Sequence, residues 1–127
     1  MWFDIQPDSA IPIFEQIVSQ VIFNIASGGL EVGALIPSVR ELGMQLTVHP
    51  NTVAKAFQAL ERLGVLTARR GRGMEVTVDA PKICRAERQK RIGERIHEAL
   101  REAVASGLSA EEIRRLVEEV IGRGKKA

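Results

Sequence analysis

Two helical stretches stand only three residues apart in "PSVRELGMQLTVHPNTVAKAFQALERLG", which runs from Pro37 to Gly64. Two helices joined by so short a turn must fold back on each other at a steep angle. The first opens at Ser38, with Glu41 three residues on, the spacing of a capping box in which each side chain can satisfy an orphan amide. Val39, Leu42 and Leu46 mark its inward face over about nine residues. "TVH", Thr47 to His49, makes the turn. Pro50 then sits in the first turn of the next helix, where its missing N–H would be unpaired anyway. Val53, Ala56, Phe57, Leu60 and Leu63 form the buried stripe of that helix, and Gly64 closes it.

The flanks complete a small domain. Upstream, Phe14, Ile17, Val18, Val21, Ile22 and Ile25 follow one another at helical spacing after Pro12, up to Gly28 and Gly29. Leu30 to Leu35 reads as a connection. From Val65 the period changes. "VLTAR" and "MEVTV" are two β-prone runs around "RGRG", where Gly71 and Gly73 supply the positive φ that a tight hairpin needs. Helix, short helix, turn, helix, hairpin is a winged helix-turn-helix. Its third helix is expected in a DNA groove and its Arg-Gly tip is the wing. The fold class expected is therefore mainly α with a small β-hairpin: a winged domain over residues 1–79, then a two-helix tail over 80–127. In the tail, Ile92, Ile96, Leu100, Ala103 and Val104 line one helix that Gly107 stops. Ser109 and Glu112 cap a second, with Ile113, Leu116, Val117, Val120 and Ile121 on one side and a frayed "GRGKKA" end.

Charge has to be read locally. The chain is 127 residues long with a net charge of +2, too little to argue for nucleic acid. Residues 1–81 hold 6 basic and 8 acidic side chains, and residues 82–127 hold 12 and 8. A DNA-binding first part must therefore use placed charges. Arg40, Lys55, Arg69, Arg70 and Arg72 gather on the expected reading face, whereas Asp4, Asp8, Glu15 and Glu31 lie in or beside the first helix. One cysteine excludes an intrachain disulfide. No run approaches the ~20 apolar residues of a membrane span. The start, "MWFDIQPDSA", lacks the pattern of a secretory leader, so a cytoplasmic protein is expected.

The landmarks "IFEQI", "GGLEVG", "PSVREL", "NTV", "LERLG" and "RRGRG", spread over Ile13 to Val76, resemble as a set the GntR family of bacterial transcriptional regulators. The form "PNTVAKAFQALERLGVL" and a tail of only two helices are similar to its YtrA subfamily. The resemblance implies a dimeric operator-binding protein, usually a repressor. It carries DNA-facing roles to Ser38, Arg40, Asn51, Thr52, Arg70, Gly71 and Arg72. Two positions depart from the family pattern. His49 stands where Ser, Thr or Asn is usual, which should weaken the cap of the third helix. Ala54 stands where Arg or Gln is usual, which removes a base or phosphate contact.

Each of these residues has a plainer reading. Arg40 suits a solvated helix charge, although its motif favours DNA. Asn51 can start a helix, or pair with an adenine edge through two hydrogen bonds. Thr52 and Lys55 are expected on one exposed face, with Lys55 suited to phosphate. Arg69, Arg70 and Arg72 around Gly71 make a soluble turn, or a wing tip for a narrow groove or a phosphate pair. His49 and Pro50 border the reading end. His49 is a turn residue, a DNA contact or a titratable group. Lys82, Arg85, Arg88, Lys90, Arg91 and Arg95 suit a solvated face and a DNA-backbone contact equally.

The tail stripes, Ile92, Ile96, Leu100 and Val104 with Ile113, Leu116, Val117 and Val120, are too short to hold a core alone and are expected to face a second copy, giving a homodimer. A tail this short cannot enclose a metabolite pocket of ~300 Å³. Any effector is therefore small, interfacial or absent. His49, His97 and Cys84 match no metal-ligand pattern, and no cofactor is expected. The competing reading is a non-specific architectural or protein-docking winged helix, which fold alone does not separate from a regulator. An enzyme stands far behind. "GRG" is followed by no helix N-terminus that could cradle phosphate, and no carboxylate pair or Cys-His pair is evident.

Overall fold

The computed structural model describes residues 3–126. Met1, Trp2 and Ala127, which the leader and tail readings include, lie outside the described residues. The chain divides into two compact units, one ending at Gln89 and one beginning at Lys90.

The first unit holds α1 (Ile13–Ala26), β1 (Leu35–Ile36), α2 (Val39–Leu46), α3 (Pro50–Arg62), β2 (Leu66–Arg69), β3 (Gly73–Val76) and the start of α4 (Ala80–Ala105). Its core joins the three expected stripes. Ile17, Val18, Val21, Ile22 and Ile25 of α1 meet Leu42 of α2 and Val53, Ala56, Phe57 and Leu60 of α3, all buried. Burying each of the larger side chains contributes about 1.5–3 kcal/mol. Phe14, expected on the same stripe, is only half-buried at its edge. Gly64, at φ 84°, closes α3 as expected. Its N–H bonds the Glu61 carbonyl, and the Val65 N–H bonds the Leu60 carbonyl, satisfying two orphan acceptors.

Three features differ from the sequence reading. The hairpin belongs to a three-stranded antiparallel sheet of order β1-β3-β2, because Leu35 and Ile36 pair with Glu75 and Met74. A two-residue strand leaves no periodic trace, so its stretch reads as a connection. Secondly, α4 begins at Ala80, before the expected start, and buries Ala80 and Cys84 in the winged core. The first unit runs to Gln89. Thirdly, the residues before α1 are held by side chains. Gln16 Oε1 accepts the Gln6 N–H at 2.8 Å, and Gln16 Nε2 donates to the carbonyls of Gln6 and Ile11 at 2.9 and 2.8 Å. One turn on, Gln20 repeats this with Asp4, accepting its N–H at 2.8 Å and donating to its carbonyl at 2.7 Å. Each glutamine amide imitates one rung of a β-ladder, and Phe3 and Ile5 pack against the core.

The second unit holds the rest of α4 and α5 (Ala110–Lys126). Ser109 caps α5 as expected, its Oγ accepting the Glu112 N–H at 3.1 Å. The helix runs on through Gly122 to Lys126, where a frayed end is expected from "GRGKKA". Between residues 90 and 123 no side chain is buried. Ile96, Val104, Leu116 and Val120 are each more than half exposed, while Leu100, Ala103 and Ile113 are half-buried.

Candidate nucleic-acid interface

The turn between α2 and α3 is made by close backbone contact. Ser38 caps α2, its Oγ accepting the Glu41 N–H at 3.3 Å. The helix ends where Thr47 takes the left-handed conformation, φ 55° and ψ 48°, and the Val48 N–H bonds the Gly43 carbonyl at 2.9 Å. Glycine is the usual occupant of such a position, and a β-branched residue there is strained.

His49 caps α3. Its Nδ1 accepts the Asn51 N–H at 3.0 Å, and its carbonyl accepts from Thr52 at 3.0 Å and Val53 at 3.3 Å. This corrects the expectation of a weakened cap. An imidazole ring places an acceptor two bonds beyond Cβ, as an asparagine side chain does, and reaches the same amide. Accepting at Nδ1 puts the proton of the neutral ring on Nε2. With Pro50 lacking an N–H, the first amides of α3 are already used, and only side chains at this end keep open hydrogen-bonding groups.

The face that α3 turns outward is polar. Asn51, Lys55, Gln58 and Arg62 follow at i, i+4, i+7 and i+11 and are all exposed, opposite buried Val53, Ala56, Phe57 and Leu60. Gln58 and Arg62 are absent from the sequence-expected set, although the same spacing points to them. Lys55 and Thr52 do not share one open face. Thr52 is half-buried, and Lys55 lays its ammonium 3.9 Å from the centroid of the Phe14 ring, a cation–π contact with α1. Arg40 is exposed on α2, Ser38 half-buried as its cap, Ala54 half-buried, and His49 and Pro50 exposed at the start of α3.

In the wing, Arg72 N–H bonds the Arg69 carbonyl at 2.9 Å, and Gly71 at φ 75° takes the third turn position, as a type II turn requires. Gly73 is tighter still. At φ 103°, a β-carbon there would stand 2.4 Å from the Ile36 carbonyl oxygen, so only glycine lets β3 pass the β1–α2 junction. Arg70 and Arg72 are exposed at the tip. Arg69 is engaged, its Nε donating to the Glu75 carboxylate in an ion pair across the strands. Thr77 Oγ1 donates to the Gly64 carbonyl at 2.6 Å, tying the wing's return strand to the end of α3.

Among the described residues no group of His, Cys, Asp and Glu could hold a metal, and no helix is long and apolar enough to cross a membrane. Cys84 is fully buried, and burial, with the Glu87 carboxylate adding to it, pushes its thiol up to about 11.

Comparison with known proteins agrees with this geometry. Residues 13–76 match the family model described as bacterial regulatory proteins, gntR family. The chain is 33% identical over 125 residues to the HTH-type transcriptional repressor YtrA of Bacillus subtilis, covering 96% of each chain. A solved transcriptional antiterminator from Listeria monocytogenes EGD-e superposes with a TM-score of 0.71 at 32% identity, over 94% of this chain and 90% of that one. The DNA-binding domain of AraR in complex with operator ORE1 aligns at a TM-score of 0.50 and 25% identity, over 61% of this chain and 94% of that one. The chain belongs to the GntR family of DNA-binding transcriptional regulators and, within it, to the YtrA-like subfamily.

Proposed function

We propose that the protein is a sequence-specific repressor that acts in the cytoplasm and binds a pseudo-palindromic operator as a homodimer. The observation that carries this reading is the exposed polar stripe of α3 beginning at Asn51, beside a wing whose tip presents Arg70 and Arg72. Asn51 is suited to read an adenine edge and Thr52 and Arg40 to steady the backbone, with Ser38 fixing α2 beneath them. Gly71 lets the wing tip turn back tightly enough to present its arginines. The name of the Bacillus relative supports repression as the sign of the effect.

Dimerisation is supported by the second unit, whose Ile92, Ile96, Val104, Leu116, Val117 and Val120 are exposed without a core of their own. A second copy supplies one by symmetry, and two copies place two reading helices on half-sites about one helical turn, ~34 Å, apart. Any effector is small, lies between copies, or is absent. Selection of bound duplexes from a random pool tests the reading. An inverted repeat should emerge, and light scattering should show a dimer that Leu100→Glu with Val117→Glu converts to monomers lacking operator affinity. A pool that yields no preferred sequence would instead mark a non-specific winged-helix module, and a double variant that stays dimeric would place the dimer contact elsewhere.

A further inference from the structure

The wing carries one acidic side chain among its three arginines. β2 and β3 pair Arg69 with Gly73 and Thr67 with Glu75, so Arg69 and Glu75 lie diagonally on the outer face of the hairpin, the face opposite buried Leu66, Met74 and Val76. Arg69 Nε donates to the Glu75 carboxylate across that diagonal. The two line one surface concavity with Gly33, Leu35, Arg70 and Arg72. Arg70 and Arg72 have no ion pair among the described residues.

We propose that Glu75 sets the DNA affinity of the wing by holding Arg69 off the phosphate backbone, so that the wing engages through Arg70 and Arg72 alone. This rests on the DNA-binding reading of the wing. The carboxylate acts by occupying Arg69. Because the pair is exposed, it is weak and gives way when one partner is changed. Phosphates are the same in every sequence, so the restraint lowers cognate and non-cognate binding alike and keeps the salt-dependent part of the affinity small.

Glu75→Gln should release Arg69 to a phosphate. On a scrambled duplex across a salt series, the slope of log K against log salt should steepen by about 0.9, with affinity about five- to tenfold higher near 0.1 M salt. The cognate duplex should tighten by the same factor. Asp8→Asn, in the exposed segment before α1, removes one negative charge without freeing an arginine and should leave the slope unchanged. Arg69→Ala should leave it unchanged too, and Arg69→Ala with Glu75→Gln should bring it back to the wild-type value. Unfolding curves of the variants check that the wing still forms. The proposal is overturned if Arg69→Ala alone flattens the slope by about 0.9, since Arg69 would then already hold a phosphate. It is equally overturned if a folded Glu75→Gln behaves like Asp8→Asn. The slope is read on scrambled DNA, so either result stands apart from whether the chain prefers one operator.

Discussion

The bare α-carbon of Gly43 lies directly under the carbonyl of Val48: a β-carbon at Gly43 would stand 2.9 Å from that oxygen. This contact lets α2 turn into α3 within three residues and fixes where Asn51 points. Gly43→Ala gains about 0.8–1 kcal/mol of helix propensity, but it overpacks a buried site against backbone, at about 1–3 kcal/mol. The clash wins because a carbonyl, unlike a long side chain, cannot swing away. Urea unfolding should show Gly43→Ala less stable by about 1–2 kcal/mol. DNA affinity should fall further than that, because the start of α3 shifts.

Thr47 carries the opposite error. Its left-handed conformation costs a residue with a β-carbon about 1–2 kcal/mol, whereas glycine adopts it freely at an entropic cost of about 0.5–1 kcal/mol. Thr47→Gly should therefore raise stability by about 0.5–1 kcal/mol. Thermal unfolding checks this. A midpoint that falls would mean that the threonine side chain makes up for its strain.

Cys84 makes stability depend on pH in the alkaline range. Its thiol is held protonated in the fold up to about 11, whereas in the unfolded chain it ionises from about 9. The unfolded state therefore releases this proton first, and stability falls as pH rises from about 9 to about 11. Urea midpoints of the wild type should drop across this range, and those of Cys84→Ala should drop less. Equal drops would show that the thiol is not the group responsible. Below that range the same burial makes Cys84 slow to alkylate until the chain unfolds.

Much of this fold was legible in the sequence because its signals are local. Ser38 with Glu41, Pro50 at a helix start, and the stripe from Val53 to Leu60 each need only one turn of neighbours to be recognised. The unread parts depend on partners far along the chain. β1 is too short to show alternation and exists because β3 passes beside it. The leading segment is held because Gln16 and Gln20 of α1 supply its hydrogen bonds. At the candidate interface, the residue types were legible but their pairings were not. Lys55 is drawn to Phe14 and Arg69 to Glu75. His49 proves an able cap because its ring geometry, rather than membership of the usual capping set, places the acceptor.

In the proposed function, Asn51 is the side chain on which sequence reading by α3 most depends. It is exposed at the first turn, with its backbone amide already bound by His49. The most direct measurement is the ratio of affinities for the selected operator and a scrambled duplex of equal length, at one salt concentration, for wild type and Asn51→Ala. The variant should keep its scrambled affinity and lose on the order of 1–3 kcal/mol at the operator, with preference relaxed at one base pair in each half-site. A cognate-to-scrambled ratio unchanged by Asn51→Ala would show that α3 does not read the sequence.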